Sequence, residues 1–270
     1  MKKSLLFVTV IGLSICASSC YKNPVTGRSS LNVVPTGTLT SLSNTQYRDF
    51  LNSNKAITGT ADAKMVSLVG QRLATAISQY YSSKGMNDIL KDYKWEFNLV
   101  QGAEKNAWCM PGGKVVIYTG ILPITQTETG LAVVMGHEIA HAIARHGNER
   151  LTQNLLKEGG GMALDVALAN KPSQTRALFN TAYGVGSTVG VLLPFSRKHE
   201  SEADEMGLIF MAMAGYNPQE AVSFWQRMQA ASGKSSSNDW LSTHPSNASR
   251  IKDIQTQLPK VLPIYNQYKK

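Results

Sequence analysis

Apolar residues recur at spacings of three and four over residues 46–52 and 62–81, as in helices that bury one face. Residues 93–100, YKWEFNLV, alternate instead, as a half-buried strand does. The turn-prone QGAEKN follows, and then AWCMPGGKVVIYTG, in which PGG marks a turn and KVVIYT a second strand. Another helix begins near TQTE, where Thr125 and Glu128 have capping-box spacing. It runs through the apolar LAVV to His146, with Gly147 as its terminal punctuation. Residues 198–214 predict the next helix, closed by Gly215. NPQE at 217–220 opens one more, with Pro218 in its first position, and a last helix follows His244-Pro245-Ser246. Residues 159–193 are poor in charge and hold several glycines, which suits a mobile segment over a site. The uncharged run 177–196 includes Asn180, Pro194 and three glycines, which excludes a membrane span there. The coarse picture is mostly helix with one small sheet.

The N-terminus stands apart from this pattern. Lys2 and Lys3 precede the apolar LLFVTVIGL, the order of a secretory signal and too short a run to cross a bilayer. Ala17, Ser18 and Ser19 before Cys20 resemble a bacterial lipobox, although Ala17 stands where leucine is commonest. Cleavage before Cys20 would make that cysteine the lipidated N-terminus; Cys16, preceded by bulky Ile15, is the poorer candidate. Residues 1–19 are therefore read as a signal peptide. Residues 20–45, rich in Pro, Gly, Ser, Thr and Asn, are read as the lipidated N-terminus and a tether, and 46–270 as a single domain. Loss of Lys2 and Lys3 lowers the formal charge of +9 by two. The remaining lysines and arginines are scattered, which disfavours nucleic acid and leaves acidic lipid or envelope polymer as the milder inference. With Cys16 removed and Cys20 lipidated, Cys109 stands alone, so there is no disulfide framework; its apolar neighbours Trp108 and Met110 predict burial.

The chemistry concentrates in HEIAH at 137–141. His137 and His141 sit one turn apart on one helix face, so both imidazoles can meet one ion at about 2.0–2.1 Å. Glu138, one residue round from His137, falls beside that ion and suits a general base for a water that a metal activates. Burying these groups without partners would be costly. A metzincin arrangement is excluded, because Ala144 and Gly147 occupy the positions where it needs glycine and histidine. His146 points about 140° away from His141 and reads as a helix-end residue whose charge suits the helix dipole. A third ligand is offered by SRKHESEADEMG, where Glu200 and Asp204 stand four apart: the first can ligate, and the second can hold the outer nitrogen of a ligand histidine. Glu202 is the rival on the same helix and faces elsewhere. His199, turned about 100° from Glu200, reads as surface or rim.

NPVTGRSSL, NAWCMPGGKVVIYTGIL, the HEIAH helix, LPFSRKHESEAD and THPSNASRI, in this order, resemble metallopeptidase family forty-eight, of the gluzincin type, and within it the soluble bacterial lipoprotein branch. The resemblance covers nearly the whole chain after Cys20. It implies an α+β, mainly helical, zincin-like metallopeptidase domain with a small β-sheet whose edge strand faces the active-site cleft. It implies one Zn2+ per chain held by His137, His141 and Glu200, with Glu138 as catalytic base and Asp204 as the outer carboxylate. Asn106 matches the start of the edge strand along which family members align a peptide, which agrees with strand addition to an unpaired edge. His244, in THP, matches a histidine facing the site, where it can stabilise a developing oxyanion; Arg250 matches an arginine that organises the site. Cys109 stands where an aliphatic or small residue is more usual.

The function this resemblance implies is zinc-dependent endoproteolysis in envelope quality control. Unfolded or misassembled envelope proteins, such as stalled outer-membrane proteins, are the expected substrates, with the outer-membrane assembly machinery as a further partner and no nucleic acid. The expected place is the periplasmic side of the envelope, anchored to membrane through lipid on Cys20. Tyr21 rather than aspartate after Cys20 favours the outer membrane. The rival is a lipoprotein assembly factor that binds envelope proteins without cutting them. Mere binding has no need of Glu138, which argues against that rival.

Overall fold

A computed structural model describes residues 20–159, 179, 182–183, 195–231, 240–244 and 248–269. The signal-peptide reading of 1–19 and most of the segment 159–193 fall outside these residues. Among the described residues no helix is long and apolar enough to cross a membrane.

Strands β1 (Cys20–Lys22) and β2 (Ser29–Leu31) form an antiparallel hairpin, with Cys20 opposite Leu31. Helix α1 (Thr36–Ser53) then leads through β3 (Ala56–Ile57) to α2 (Ala61–Ser83), which Thr60 caps by accepting from the Ala63 N–H at 3.1 Å. The residues read as a tether therefore include a hairpin and the first turns of a helix. The face of α1 buries Leu39, Ser43, Gln46, Tyr47 and Phe50. Polar members hide it from an apolar count: the Ser43 hydroxyl is spent on the Pro111 carbonyl at 2.6 Å.

The main sheet contains β3, β4 (Glu96–Val100), β6 (Lys114–Tyr118) and β5 (Ala107–Met110), in that spatial order. β6 runs parallel to β4 and antiparallel to β5, so the hairpin β5–β6 folds back to insert β6 in the middle. The hairpin turns at Pro111-Gly112-Gly113, where both glycines take φ near +80° (82° and 81°), a conformation costly for any residue with a Cβ. The pleat sends Val115 and Ile117 toward α2 and the HEIAH helix, and Val116 toward α1, so strand β6 is buried on both faces. Among the described residues β5 pairs with β6 alone and forms the sheet edge.

After a 3₁₀ turn (Thr119–Ile121) and the short α3 (Leu122–Thr125), helix α4 (Glu128–Ile143) carries HEIAH through the core. Its cap is Thr127, whose side chain accepts from the Gly130 N–H at 3.1 Å; the capping box expected from Thr125 is not formed. Thr125 closes the preceding turn instead, and its carbonyl would lie 2.0 Å from a Cβ at Gly130, so only glycine fits there. Every residue from Gly130 to Ile143 is buried. The helix stops at Ile143, earlier than expected. Ala144 caps it, Arg145 adopts φ 60°, and His146 opens the next helix, α5 (His146–Gly159). Then come α6 (Arg197–Met213), α7 (Glu220–Ala231), α8 (Trp240–Thr243) and α9 (Ala248–Tyr268). Gly215 closes α6 with φ 80°, as expected, while α7 starts two residues after Pro218. The mainly helical α+β reading stands.

Helices α4 and α6 cross at two glycines. A Cβ on Gly136 would lie 3.1 Å from the Gly207 carbonyl oxygen, and one on Gly207 would lie 3.0 Å from His137 N and 3.1 Å from Gly136 C. These obstacles are backbone atoms, so relief requires the helices to separate. Gly207→Ala should therefore lower stability by about 1–3 kcal/mol, as overpacking does. Calorimetry should show a melting temperature several degrees lower, with the secondary structure retained.

Candidate metal centre and active site

The glycine crossing sets His137 and His141 of α4 against Glu200 and Asp204 of α6. His141 Nε2 lies 3.0 Å from His137 Nε2, and Glu200 reaches them at 3.4 and 3.5 Å respectively. His244, immediately after α8, adds Nδ1 at 3.2 Å from His137 Nε2 and 3.0 Å from Glu200 Oε1. These four donors lie within 4.8 Å of one another, and all four residues are buried.

The protons can be placed from the neighbours. Burial opposes ionisation of Asp204, but the Arg250 guanidinium beside it holds its carboxyl below the usual range. Asp204 therefore accepts from His137 Nδ1–H at 2.9 Å, which turns His137 Nε2 toward His141 and Glu200. Arg250 grips Asp204 through Nε and Nη2, both at 2.7 Å, and reaches Glu200 through Nη1 at 2.6 Å. Its guanidinium also lies 3.6 Å over the Trp225 ring. Burial would lower the His137 imidazole, yet hydrogen bonds to Asp204 and Glu200 raise it to about 9. With Nδ1–H held by Asp204, the proton so favoured lies on Nε2, at the point where a metal cation would take its place. Two ligand bonds of about 2.0–2.1 Å at the tetrahedral angle would separate their donor atoms by about 3.3 Å. The observed spacings and the buried nitrogen–nitrogen–carboxylate set therefore fit a metal ion.

Glu138 lies beside this donor set and is not one of its four members. Burial raises its carboxyl above the ordinary value, opposed by His244, His137 and the Trp240 indole. Trp240 Nε1 donates to Glu138 Oε1 at 2.5 Å, and His244 Nε2 lies 3.4 Å from the same oxygen. Trp240 carried no motif, and the sequence reading missed it; an aromatic residue four positions before His244 was the available signal. His244 lies deeper among the donors than an oxyanion-stabilising histidine requires. The cleft beside these groups is lined by Asn106, Trp108 and Cys109 of the edge-strand region, together with Tyr183 and Phe195. Asn106 closes on its own strand, its Oδ1 accepting from the Ala107 N–H at 2.8 Å. Cys109 is buried, and burial followed by the charge of Glu138 pushes its thiol well up.

Two expectations are corrected here. His146 is not a charged helix end: it is fully buried, burial brings its imidazole down to about 4, and its Nδ1 lies 2.8 Å from His141 Nδ1. The break at Arg145 turns the chain back, which straight-helix geometry could not anticipate. His199 is not at the rim. It is 3% exposed, stacks on His146 with ring centres 4.5 Å apart, and approaches Glu149 at 3.1 Å. Glu202 faces away from the donor set, as expected, and meets His146 Nε2 at 3.0 Å.

Crossed helices with a two-histidine, one-glutamate donor set and a buried glutamate beside it define a metal-dependent peptidase domain. A profile of the family described as Peptidase family M48 matches residues 69–258, and the chain belongs to that family. It is 35% identical to the mitochondrial metalloendopeptidase OMA1 of Schizosaccharomyces pombe over 189 residues, which is 70% of this chain and 52% of the relative. The human mitochondrial metalloendopeptidase OMA1 is 29% identical over 249 residues, 90% of this chain and 46% of the relative. The beta-barrel assembly-enhancing protease of Escherichia coli is 28% identical over 203 residues, 71% and 41% respectively. The chain spans about half the length of the curated relatives it matches.

Two outcomes follow from this geometry. Asp204→Asn keeps the shape but weakens the hold on His137 Nδ1–H, and metal affinity measured by chelator competition should fall about 10–100-fold. Glu149 gives a pH-dependent effect. Arg28 and His199 approach its Oε2 at 2.8 and 3.1 Å, off the ideal hydrogen-bonding direction. Burial works against ionisation, but these two partners hold the carboxyl down to about 2. A depressed carboxylate stabilises the fold above its ordinary pKa of about 4.3 and loses that contribution as pH falls toward the lower value. Denaturant unfolding should therefore separate wild type from Glu149→Gln most clearly at pH 6–7, with the gap narrowing below about pH 4.

Proposed function

We propose that the chain is a zinc endopeptidase with one zinc per chain, held by His137, His141 and Glu200. The observation that carries this is Glu138: a buried carboxylate beside the donor set, held by an indole N–H, facing a cleft walled by a sheet edge. Zinc there would supply Lewis acidity, polarising a carbonyl and lowering the pKa of a water. Glu138 takes the proton of the attacking water and returns it to the leaving amine; its raised pKa suits both halves of that exchange. Trp240 fixes the carboxylate in place for it. An extended peptide adds to β5 from the Asn106 end, with backbone hydrogen bonds setting its register. His244 stabilises the developing oxyanion once it has turned its Nδ1 away from Glu200. Arg250 holds Glu200 and Asp204 in their separate roles.

The substrates we propose are unfolded or misassembled envelope proteins, near the outer-membrane assembly machinery. Similarity to a beta-barrel assembly-enhancing protease supports this class. So does a strand-edge mode of binding, which requires an extended, unfolded segment. Anchorage through lipid on Cys20 agrees with the exposure of that residue at the head of β1. The signal peptide, the anchor and residues 46–270 as one peptidase domain belong to the same reading.

Glu138→Gln should retain zinc and lose cleavage of an unfolded outer-membrane protein by about a thousandfold or more, as loss of a general base together with its electrostatic role implies. Cleavage at the wild-type rate by a zinc-loaded Glu138→Gln chain would remove Glu138 from the mechanism.

A further inference from the structure

Asp204 and Arg250 support one imidazole of the donor set. The other, His141, has a separate line of support that leaves the site in the opposite direction. His141 Nδ1 meets His146 Nδ1 at 2.8 Å, and His146 Nε2 meets Glu202 Oε2 at 3.0 Å. Asn23 Nδ2 donates to Glu202 Oε1 at 2.7 Å, Thr26 Oγ1 donates to the same oxygen, and Arg28 Nε donates to Oε2. With His146, that makes four donors for a carboxylate that offers about four acceptor positions. Glu202 therefore has neither a free lone pair nor freedom to turn.

The direction of the line follows from its outer end. An ionised carboxylate only accepts, so His146 carries its proton on Nε2 and presents Nδ1 as an acceptor. His141 must then carry its proton on Nδ1. Its Nε2 is left bare and aimed at His137 and Glu200. No other tautomer of His141 can ligate from that side.

The loop that closes this line is built to hold still. Asn23 N–H donates to the Arg28 carbonyl and Gly27 N–H to the Asn23 carbonyl, both at 2.8 Å, with Gly27 at φ 75°. Asn23 is 1% exposed. The same hairpin braces the break that brings His146 back toward α4. The Tyr21 hydroxyl donates to the Ile143 carbonyl at 3.1 Å, and the Tyr21 ring lies under the Arg145 guanidinium at 4.2 Å. Residues 21–28 precede the segment matched by the family profile, which begins at residue 69.

We propose that His146 and Glu202 are positioning residues for the metal ligand His141, and that the N-terminal loop 23–28 is the outermost member of the metal centre because it locks Glu202 in line. The inference rests on the zinc reading given above. It predicts that residues more than a hundred positions away from the HEIAH helix control how tightly that helix holds zinc.

Zinc titration of the metal-stripped full chain against a chromogenic chelator tests it, alongside melting of the metal-free form. Wild type should bind one zinc and His141→Ala should lose it; equal binding by both would overturn the zinc reading itself. Glu202→Gln should weaken zinc about 10–100-fold, and Arg28→Ala by a smaller factor, beyond any change in the metal-free melt. Arg28→Lys should recover part of the Arg28→Ala loss. Because the links lie in series, Arg28→Ala combined with Glu202→Gln should bind no more weakly than Glu202→Gln alone. Asp204→Asn combined with Glu202→Gln should show the product of the two losses, since it acts through the other histidine. If Glu202→Gln fails to fold, Thr26→Val and Arg28→Lys read the same loop from its half-buried side. Unchanged zinc affinity in the folded Glu202→Gln and Arg28→Ala chains, or in the folded Thr26→Val and Arg28→Lys chains, would overturn the proposal. Full multiplication of the Arg28 and Glu202 losses would do so as well.

Discussion

Two imidazole nitrogens lie 3.0 Å apart in the interior of this protein, with the Glu200 carboxylate closing the third side. Lone pairs at that distance repel, and burial removes the water that would otherwise screen them. The arrangement holds only where something positive sits between them and something rigid keeps the rings from turning. Most of the chain around α4 and α6 answers one of these two needs. Arg250 and Asp204 fix the proton of His137 on its outer nitrogen, and the His146–Glu202 pair does the same for His141. Both inner nitrogens thereby converge on one point, where a proton or a metal cation can lie, and the donor set is pre-arranged for positive charge.

The same need explains the backbone. The histidines of α4 and the carboxylates of α6 can converge only if the two helix axes come close, and Gly136 facing Gly207 supplies that closeness. The apolar surroundings of α4, with Leu131, Val134, Met135 and Ile139 all at 0% exposure, keep water from satisfying the polar groups in some other geometry. A half-packed interior would let the rings rotate toward solvent; close packing leaves them one arrangement. Stability and site geometry are then the same set of contacts.

Much of this is legible in the sequence. HEIAH and EADE announce themselves because a helix turns in 3.6 residues, so spacings of one and four place two imidazoles, the carboxylate beside them and an outer carboxylate on neighbouring faces. Both strands of the alternating and apolar runs were recovered, as were the C-terminal ends of α6 and the position of α9. What failed did so where the chain departs from a straight element. Arg145, a non-glycine at φ 60°, breaks a run that reads as one continuous helix, and everything inferred for His146 from helical angles failed with it. His199 was placed by its angle from Glu200 on α6, which says nothing about α5 lying across it. Residues 36–45 read as a tether because they are rich in Gly, Ser, Thr and Asn, and buried Ser43 fills a position that an apolar count scores as exposed. Trp240 belongs to no spacing rule, since its partner Glu138 is 102 positions away.

That last separation is typical of the site and has a physical consequence. Glu202 meets Asn23 across 179 positions, Arg250 meets Asp204 across 46, and Trp240 meets Glu138 across 102. Each contact closes a long loop, whose entropy cost is met only after the intervening elements have packed. A HEIAH helix formed early in folding would have its two histidines on one face but neither of their tautomers enforced, no third ligand and no oriented base. The chemistry belongs to the contacts made between helices and between the N-terminal loop and α6, so it comes into existence with the completed fold and not with the motif that identifies it.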